Sequence, residues 1–133
     1  MTEPRSEAGA GLKVLVIEDE TLQSMDLEIM LEELGHKIAG VAPHREGAMK
    51  LIDRLGGDID CVLLDCKLGV RSSRPVADRL ARRRIPYVVI SGLPEGEVRR
   101  LGYAGAHVSK PFTAREVNRV LRRAAETAAP GDV

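Results

Sequence analysis

The chain reads as an α/β protein: a doubly wound parallel sheet with helices on both faces. Three observations predict this. Short apolar, β-branched runs alternate strictly with segments of helical periodicity from residue 12 to residue 126. The first run, Leu12 to Ile17, is almost continuously apolar, as a strand buried on both faces requires. No internal repeat or low-complexity linker interrupts the alternation. Strand–helix alternation of this kind implies parallel strands joined by right-handed crossovers.

The elements follow in order. The first strand stops at Glu18-Asp19-Glu20, and a helix is expected over 21–34, with Leu22, Met25 and Ile29 as its apolar stripe and Gly35 as its end. Lys37 to Val41 is a weaker strand. Pro43 opens a second helix, whose Ala48, Leu51, Ile52 and Leu55 fall on one face, and Gly56-Gly57 ends it. The third strand, Ile59 to Leu64, delivers Asp65. A loop containing Gly69 then leads to Ser73, an expected N-cap with Pro75 in the first turn. The third helix ends in Arg82-Arg83-Arg84, where positive charge suits the helix C-terminus. Strand four, Tyr87 to Ile90, leads into Ser91-Gly92, and the helix over 94–101 is short and weakened by Gly96. A fifth strand, Ala106 to Ser109, reaches Lys110-Pro111-Phe112. The last helix opens on Thr113 and Glu116, spaced as a capping box, and carries Val117, Val120, Leu121 and Ala124 inward.

Bulk properties set the outer limits. A chain of 133 residues has the size of one domain and buries roughly two thirds of its unfolded surface. Residues 1–11 and 127–133 read as terminal tails, the first disordered, flanking a domain at 12–126. With one Phe, two Tyr and no Trp, the core must be Leu, Val, Ile and Ala. The 20 basic and 20 acidic residues cancel, which gives no global field for nucleic acid or anionic membrane. Cys61 and Cys66 form no metal-ligand cluster and read as reduced thiols. The polar start lacks a signal-peptide core, and no apolar run approaches the about 18 residues of a membrane span. A cytoplasmic protein is expected.

Ligands of an open α/β sheet bind at the carboxyl ends of its strands. Those ends carry Glu18, Asp19 and Glu20, then Asp65, Ser91 and Lys110. Glu18, Asp19 and Asp65 repel unless a cation joins them; one divalent ion and one ammonium neutralise all three. An oxygen-only set with room for water selects Mg²⁺ over Zn²⁺. Lys110 and the Ser91 hydroxyl then offer contacts to a phosphoryl group held against a carboxylate, and a carboxylate can itself become an aspartyl phosphate.

Here the residues match a family. Val14-Leu15-Val16-Ile17-Glu18-Asp19-Glu20, Val62-Leu63-Leu64-Asp65, Val89-Ile90-Ser91-Gly92 and Ser109-Lys110-Pro111-Phe112 together resemble the motif set of response-regulator receiver domains over about residues 12–126. Each piece alone is common; all of them in order, each at a strand end, are not. The resemblance implies a flavodoxin-like sheet of five strands in the order 2-1-3-4-5. It implies that Asp65 accepts the phosphoryl group and that Glu18, Asp19, Asp65 and the Lys67 backbone carbonyl hold Mg²⁺. Ser91 and Gly92 would receive the phosphoryl oxygens, Lys110 would pair with them, and Lys110-Pro111 would be a cis bond. Partners implied are a sensor histidine kinase or histidine phosphotransfer protein and a downstream protein, as for a stand-alone receiver, with a homodimer left open.

The chain departs from the family at Leu68-Gly69-Val70, where Leu-Pro-Gly is usual, and in its short Ser91–Lys110 interval. Pro75-Val76-Ala77-Asp78 and the preceding loop resemble a subgroup of stand-alone receivers that carry Thr-Gly-Tyr where this chain has Ser91-Gly92-Leu93. His107 matches the family's rotating aromatic switch, although a histidine at a strand end also serves as a local hydrogen-bonding group. Cys66, Tyr87 and Tyr103 read as packing residues, and Arg115, Arg119, Arg122 and Arg123 as a solvated helix face. Rival readings are an aspartate-nucleophile phosphatase, an unphosphorylated adaptor, and an FMN carrier. The first wants a second Asp where Lys67 stands; the last wants aromatics that this chain lacks.

Overall fold

The computed structural model describes residues 11–127; residues 1–10 and 128–133, nearly all of the expected tails, lie outside the described residues. The elements are β1 (Lys13–Ile17), α1 (Thr21–Glu33), β2 (Lys37–Ala42), α2 (Arg45–Leu55), β3 (Cys61–Asp65), β4 (Lys67–Leu68), β5 (Arg71–Ser72), α3 (Arg74–Arg82), β6 (Tyr87–Ser91), α4 (Glu95–Arg100), β7 (Ala106–Ser109) and α5 (Ala114–Thr127). Thr127, assigned to the tail by sequence, is the last residue of α5.

The main sheet runs β2-β1-β3-β6-β7, and all its pairs are parallel. This is the expected 2-1-3-4-5 order once the short β4–β5 ribbon is set aside. Side chains alternate along a strand, so each central strand feeds two cores. Leu15, Ile17, Val62, Leu64 and Val89 pack with α2 and α3. Val14, Val16, Leu63, Val88 and Ile90 pack on the other face with α1 and α5. Each fully buried aliphatic side chain contributes about 1.5–3 kcal/mol of transfer free energy, so these two layers hold the strand ends in place.

Two details correct the sequence reading. Leu22, Met25 and Ile29 are not the buried stripe of α1: they are 77%, 49% and 53% exposed, while Ser24, Leu27 and Leu31 face the sheet. Both sets have the same spacing, and α1 is apolar on nearly every side, so periodicity alone cannot select the face. The Gly69 segment is also more than a loop. Lys67–Leu68 and Arg71–Ser72 pair as an antiparallel ribbon with Gly69 at φ +70 in its turn.

Other local expectations hold. Gly35 ends α1 at φ +93. The capping box is formed: Thr113 N–H donates to Glu116 Oε1 (2.9 Å), and Glu116 N–H to Thr113 Oγ1 (3.1 Å). The Lys110–Pro111 bond is cis. Buried His36 accepts the Leu12 N–H at Nδ1 (2.9 Å), which leaves Nε2 as the donor to Asn118 Oδ1 (2.7 Å). That one ring joins the start of β1 to α5. A cleft of about 650 Å³ lies among α4, β7 and α5, bordered by Glu95, Arg99, Ala106, His107, Arg119 and Val120 among others.

Candidate functional site

The sheet order makes β1, β3 and β6 neighbours, and parallel pairing brings all their carboxyl ends to one rim. Ile17 pairs with Leu64, Asp65 with Ile90, and Ser91 with Ser109. The residues at and just beyond these strand ends therefore fall in a single cluster. Glu18, Asp19 and Asp65 each place a carboxylate oxygen within 4.8 Å of the others. An all-oxygen set of this kind, with no imidazole or thiolate among its donors, fits a hard divalent cation.

Both Asp65 oxygens have partners. Lys67 N–H donates to Oδ1 (3.1 Å), and the Lys110 ammonium lies 3.3 Å from Oδ2. The side chain is 14% exposed, so an incoming group can reach it. Glu18 is buried and accepts the Glu20 N–H at Oε2 (3.0 Å). Burial, with a hydrogen bond to Asp65, pushes its carboxyl up to about 8. Asp19 instead faces the ribbon and accepts the Gly69 N–H (2.9 Å). The β4–β5 turn thus closes one side of the cluster.

Ser91 is buried at the end of β6; its hydroxyl accepts the Leu93 N–H (2.9 Å) and turns the chain through Gly92. A depression of about 220 Å³ opens there, lined by Asp65, Lys67, Ser91 and Gly92 among others. His107 sits on β7 opposite Val89, two positions before Ser91 on the paired strand β6. Its Nε2 is buried without a partner, and burial lowers the imidazole below its usual range. Burial raises both thiols, Cys61 to about 12, which suits space-filling rather than redox chemistry.

Sequence reasoning missed three residues. Gln23, in the first turn of α1, accepts from the Lys110 ammonium (3.2 Å) and donates to Glu20 Oε1 (2.6 Å). Its amide can satisfy both charged partners in one orientation only. Tyr103 is not mere packing. Its hydroxyl donates to the Cys66 carbonyl (3.0 Å) and lies 2.9 Å from Ser73 Oγ. Ser73 in turn is no side-chain cap for α3; it is buried against Tyr103, and Ser72 Oγ accepts the Arg74 N–H instead (3.0 Å). A polar residue in the first turn after an acidic strand end was the available signal for Gln23. None existed for Tyr103, whose partners are 30 and 37 positions away. Arg83, read as part of a solvated cap, instead pairs with Asp53 of α2 (2.9 Å), which Arg79 also engages (2.7 Å).

The rim thus presents an exposed-edge carboxylate, two further acids, an ammonium and a hydroxyl around an open depression. No family model matches the chain. The phyllosphere-induced regulator PhyR of Methylorubrum extorquens is 33% identical over 123 residues, 88% of this chain and 45% of PhyR. The chain spans about half the length of the curated relatives it matches. Among solved structures, SdrG from Sphingomonas melonis Fr1 is 35% identical, with a TM-score of 0.72 over 88% of this chain and 98% of SdrG. The receiver domain of the Erythrobacter litoralis response regulator PhyR is 31% identical, with a TM-score of 0.72 over 86% of this chain and 89% of that one. These relatives are regulators and receiver domains, and among the described residues no helix is long and apolar enough to cross a membrane. With this fold, this rim and these relatives, the chain belongs to the response-regulator receiver family.

Proposed function

We propose that residues 12–126 act as a phosphorylation switch in a two-component or phosphorelay pathway, in the cytoplasm, with Asp65 as the acceptor. The observation that carries this reading is the convergence of Glu18, Asp19 and Asp65 within 4.8 Å, beside the Lys110 ammonium. An Asp65 oxygen would attack phosphorus while the bond to a phosphohistidine nitrogen breaks, leaving a neutral histidine on the donor. Mg²⁺, held by Glu18, Asp19, Asp65 and the Lys67 carbonyl, would supply charge neutralisation at the transferring phosphoryl oxygens. Lys110 would then pair with the new charge, and Ser91 and the Gly92 turn would receive a phosphoryl oxygen in the adjoining depression.

The partners follow from two surfaces. A histidine kinase or histidine phosphotransfer protein must bring its imidazole to the rim, and the exposed Leu22, Met25 and Ile29 of α1 offer an apolar helix face beside it. A downstream protein would read the cleft between β7 and α5, which His107 borders directly. Aspartyl-phosphatase chemistry is disfavoured because the residue two beyond Asp65 is Lys67, whose N–H orients the nucleophile and whose side chain is no acid/base carboxyl.

The test is covalent. Incubation with acetyl phosphate and Mg²⁺ should add one phosphate of mass, and Asp65→Asn should abolish the addition. Labelling that persists in Asp65→Asn would sink the assignment.

A further inference from the structure

Tyr103 lies in the turn between α4 and β7, yet its side chain reaches back beneath the acceptor aspartate. It is 2% exposed, and burial keeps its phenol protonated well past neutral pH. The hydroxyl has one hydrogen, which goes to the Cys66 carbonyl at 3.0 Å. It can therefore only accept from Ser73 Oγ at 2.9 Å. The same Cys66 carbonyl also accepts the Ser73 N–H at 2.9 Å. The Cys66–Lys67 peptide follows Asp65 directly, and its N–H is the one that caps Asp65 Oδ1 (3.1 Å).

On its other side Tyr103 is fastened to α4. Its N–H donates to the Val98 carbonyl (3.3 Å), and its own carbonyl accepts from Arg99 Nη1 (2.8 Å). A second strap runs outside the first. Arg74 Nη1, from the start of α3, donates to the Leu101 carbonyl (2.6 Å). Gly102, at φ +97, makes room for it, since a Cβ there would stand 1.9 Å from that nitrogen. The turn after α4 is thus bound to the segment after Asp65 by a route that uses neither Ser91 nor His107.

We infer that Tyr103 is a positioning residue: its hydroxyl fixes the Cys66–Lys67 peptide at the acceptor and carries displacement of that peptide to the end of α4. The inference rests on the reading of Asp65 as a Mg²⁺-dependent phosphoacceptor. A ligand that draws on Asp65 Oδ1 pulls on the Lys67 N–H, hence on the peptide whose carbonyl Tyr103 holds, and α4 must then follow or a hydrogen bond must break.

Tyr103→Phe keeps the ring and deletes the hydroxyl. Calorimetric titration with Mg²⁺ should show affinity falling about three- to tenfold, the loss of one hydrogen bond's worth of positioning. In wild type, the amides of Gly102, Tyr103 and Ala104 should shift when Mg²⁺ and beryllofluoride are added. In Tyr103→Phe those shifts should shrink while the Ser91 and His107 amides still respond. Equal Mg²⁺ affinity in the two proteins, with unchanged turn shifts in the variant, would overturn the inference and leave the acceptor reading standing. Wild-type turn amides that ignore both additions while Ser91 responds would overturn it without any variant. Wild-type protein that binds no Mg²⁺ would remove the acceptor reading and this inference together.

Discussion

The Lys110 ammonium lies 3.3 Å from Asp65 Oδ2, although 45 positions separate the two residues in sequence. It is shared with Gln23 Oε1 at 3.2 Å, so the cation has two acceptors before any phosphoryl group arrives. Added charge on Asp65 would draw Lys110 away from the α1 amide and into the site.

Lys110→Arg should therefore separate uptake from response. A planar guanidinium is longer than the ammonium and cannot occupy the same point between Gln23 and Asp65. Mass spectrometry should still record phosphate incorporation, while beryllofluoride should no longer shift the Ser91 and His107 amides fully. A variant with the full wild-type shift pattern would remove this role from Lys110.

Asp19→Asn should weaken Mg²⁺ binding about tenfold or more, because a unit charge at about 4 Å is worth about 1–4 kcal/mol near a surface. Asp19 also anchors the ribbon through Gly69 N–H, a bond that Asn preserves through its carbonyl oxygen. Fold and metal affinity are thus separable, and titration calorimetry beside a thermal melt measures both. Unaltered affinity would place the metal elsewhere.

Glu18 predicts a pH dependence of stability. Its folded pKa, about 8, lies above the ordinary 4.5, so the folded state binds the proton more tightly than the unfolded state. That stabilisation is complete below about pH 4.5 and is lost as pH rises toward 8. Without divalent cations, Tm should fall across this window, and Glu18→Gln should raise Tm at pH 8.5 by about 4 °C or more. Mg²⁺ should offset the loss in wild type. A melting temperature flat from pH 5 to 8 in metal-free protein would contradict the burial argument.

His107 should titrate below the usual imidazole range in the unmodified protein, since burial disfavours its charged form. Movement of Ser91, on the strand paired with that of His107, toward a phosphoryl group would change the ring's surroundings and its midpoint. NMR titration of His36, His44 and His107, with and without beryllofluoride, resolves this. A His107 midpoint identical in both states would confine the switch to the turn after Ser91.

How much was legible before the fold was known divides along physical lines. The parallel α/β class, the cis Lys110–Pro111 bond expected from the family resemblance, the short α4 and the rim residues Glu18, Asp19, Asp65, Ser91 and Lys110 all came from the sequence. Strands buried on both faces have an unmistakable apolar signature, and every rim residue stands directly at a strand end, where chain order fixes position. Tertiary structure decided what local pattern leaves degenerate. Leu22, Met25 and Ile29 have the same spacing as Ser24, Leu27 and Leu31, and only the sheet determines which set it covers. The roles of Gln23, Ser73 and Tyr103 depend on partners brought near by crossover connections, at separations of 87, 30 and 37 positions. Periodicity reports which side of an element avoids water; it carries no information about which distant hydroxyl or ammonium a polar side chain will meet there.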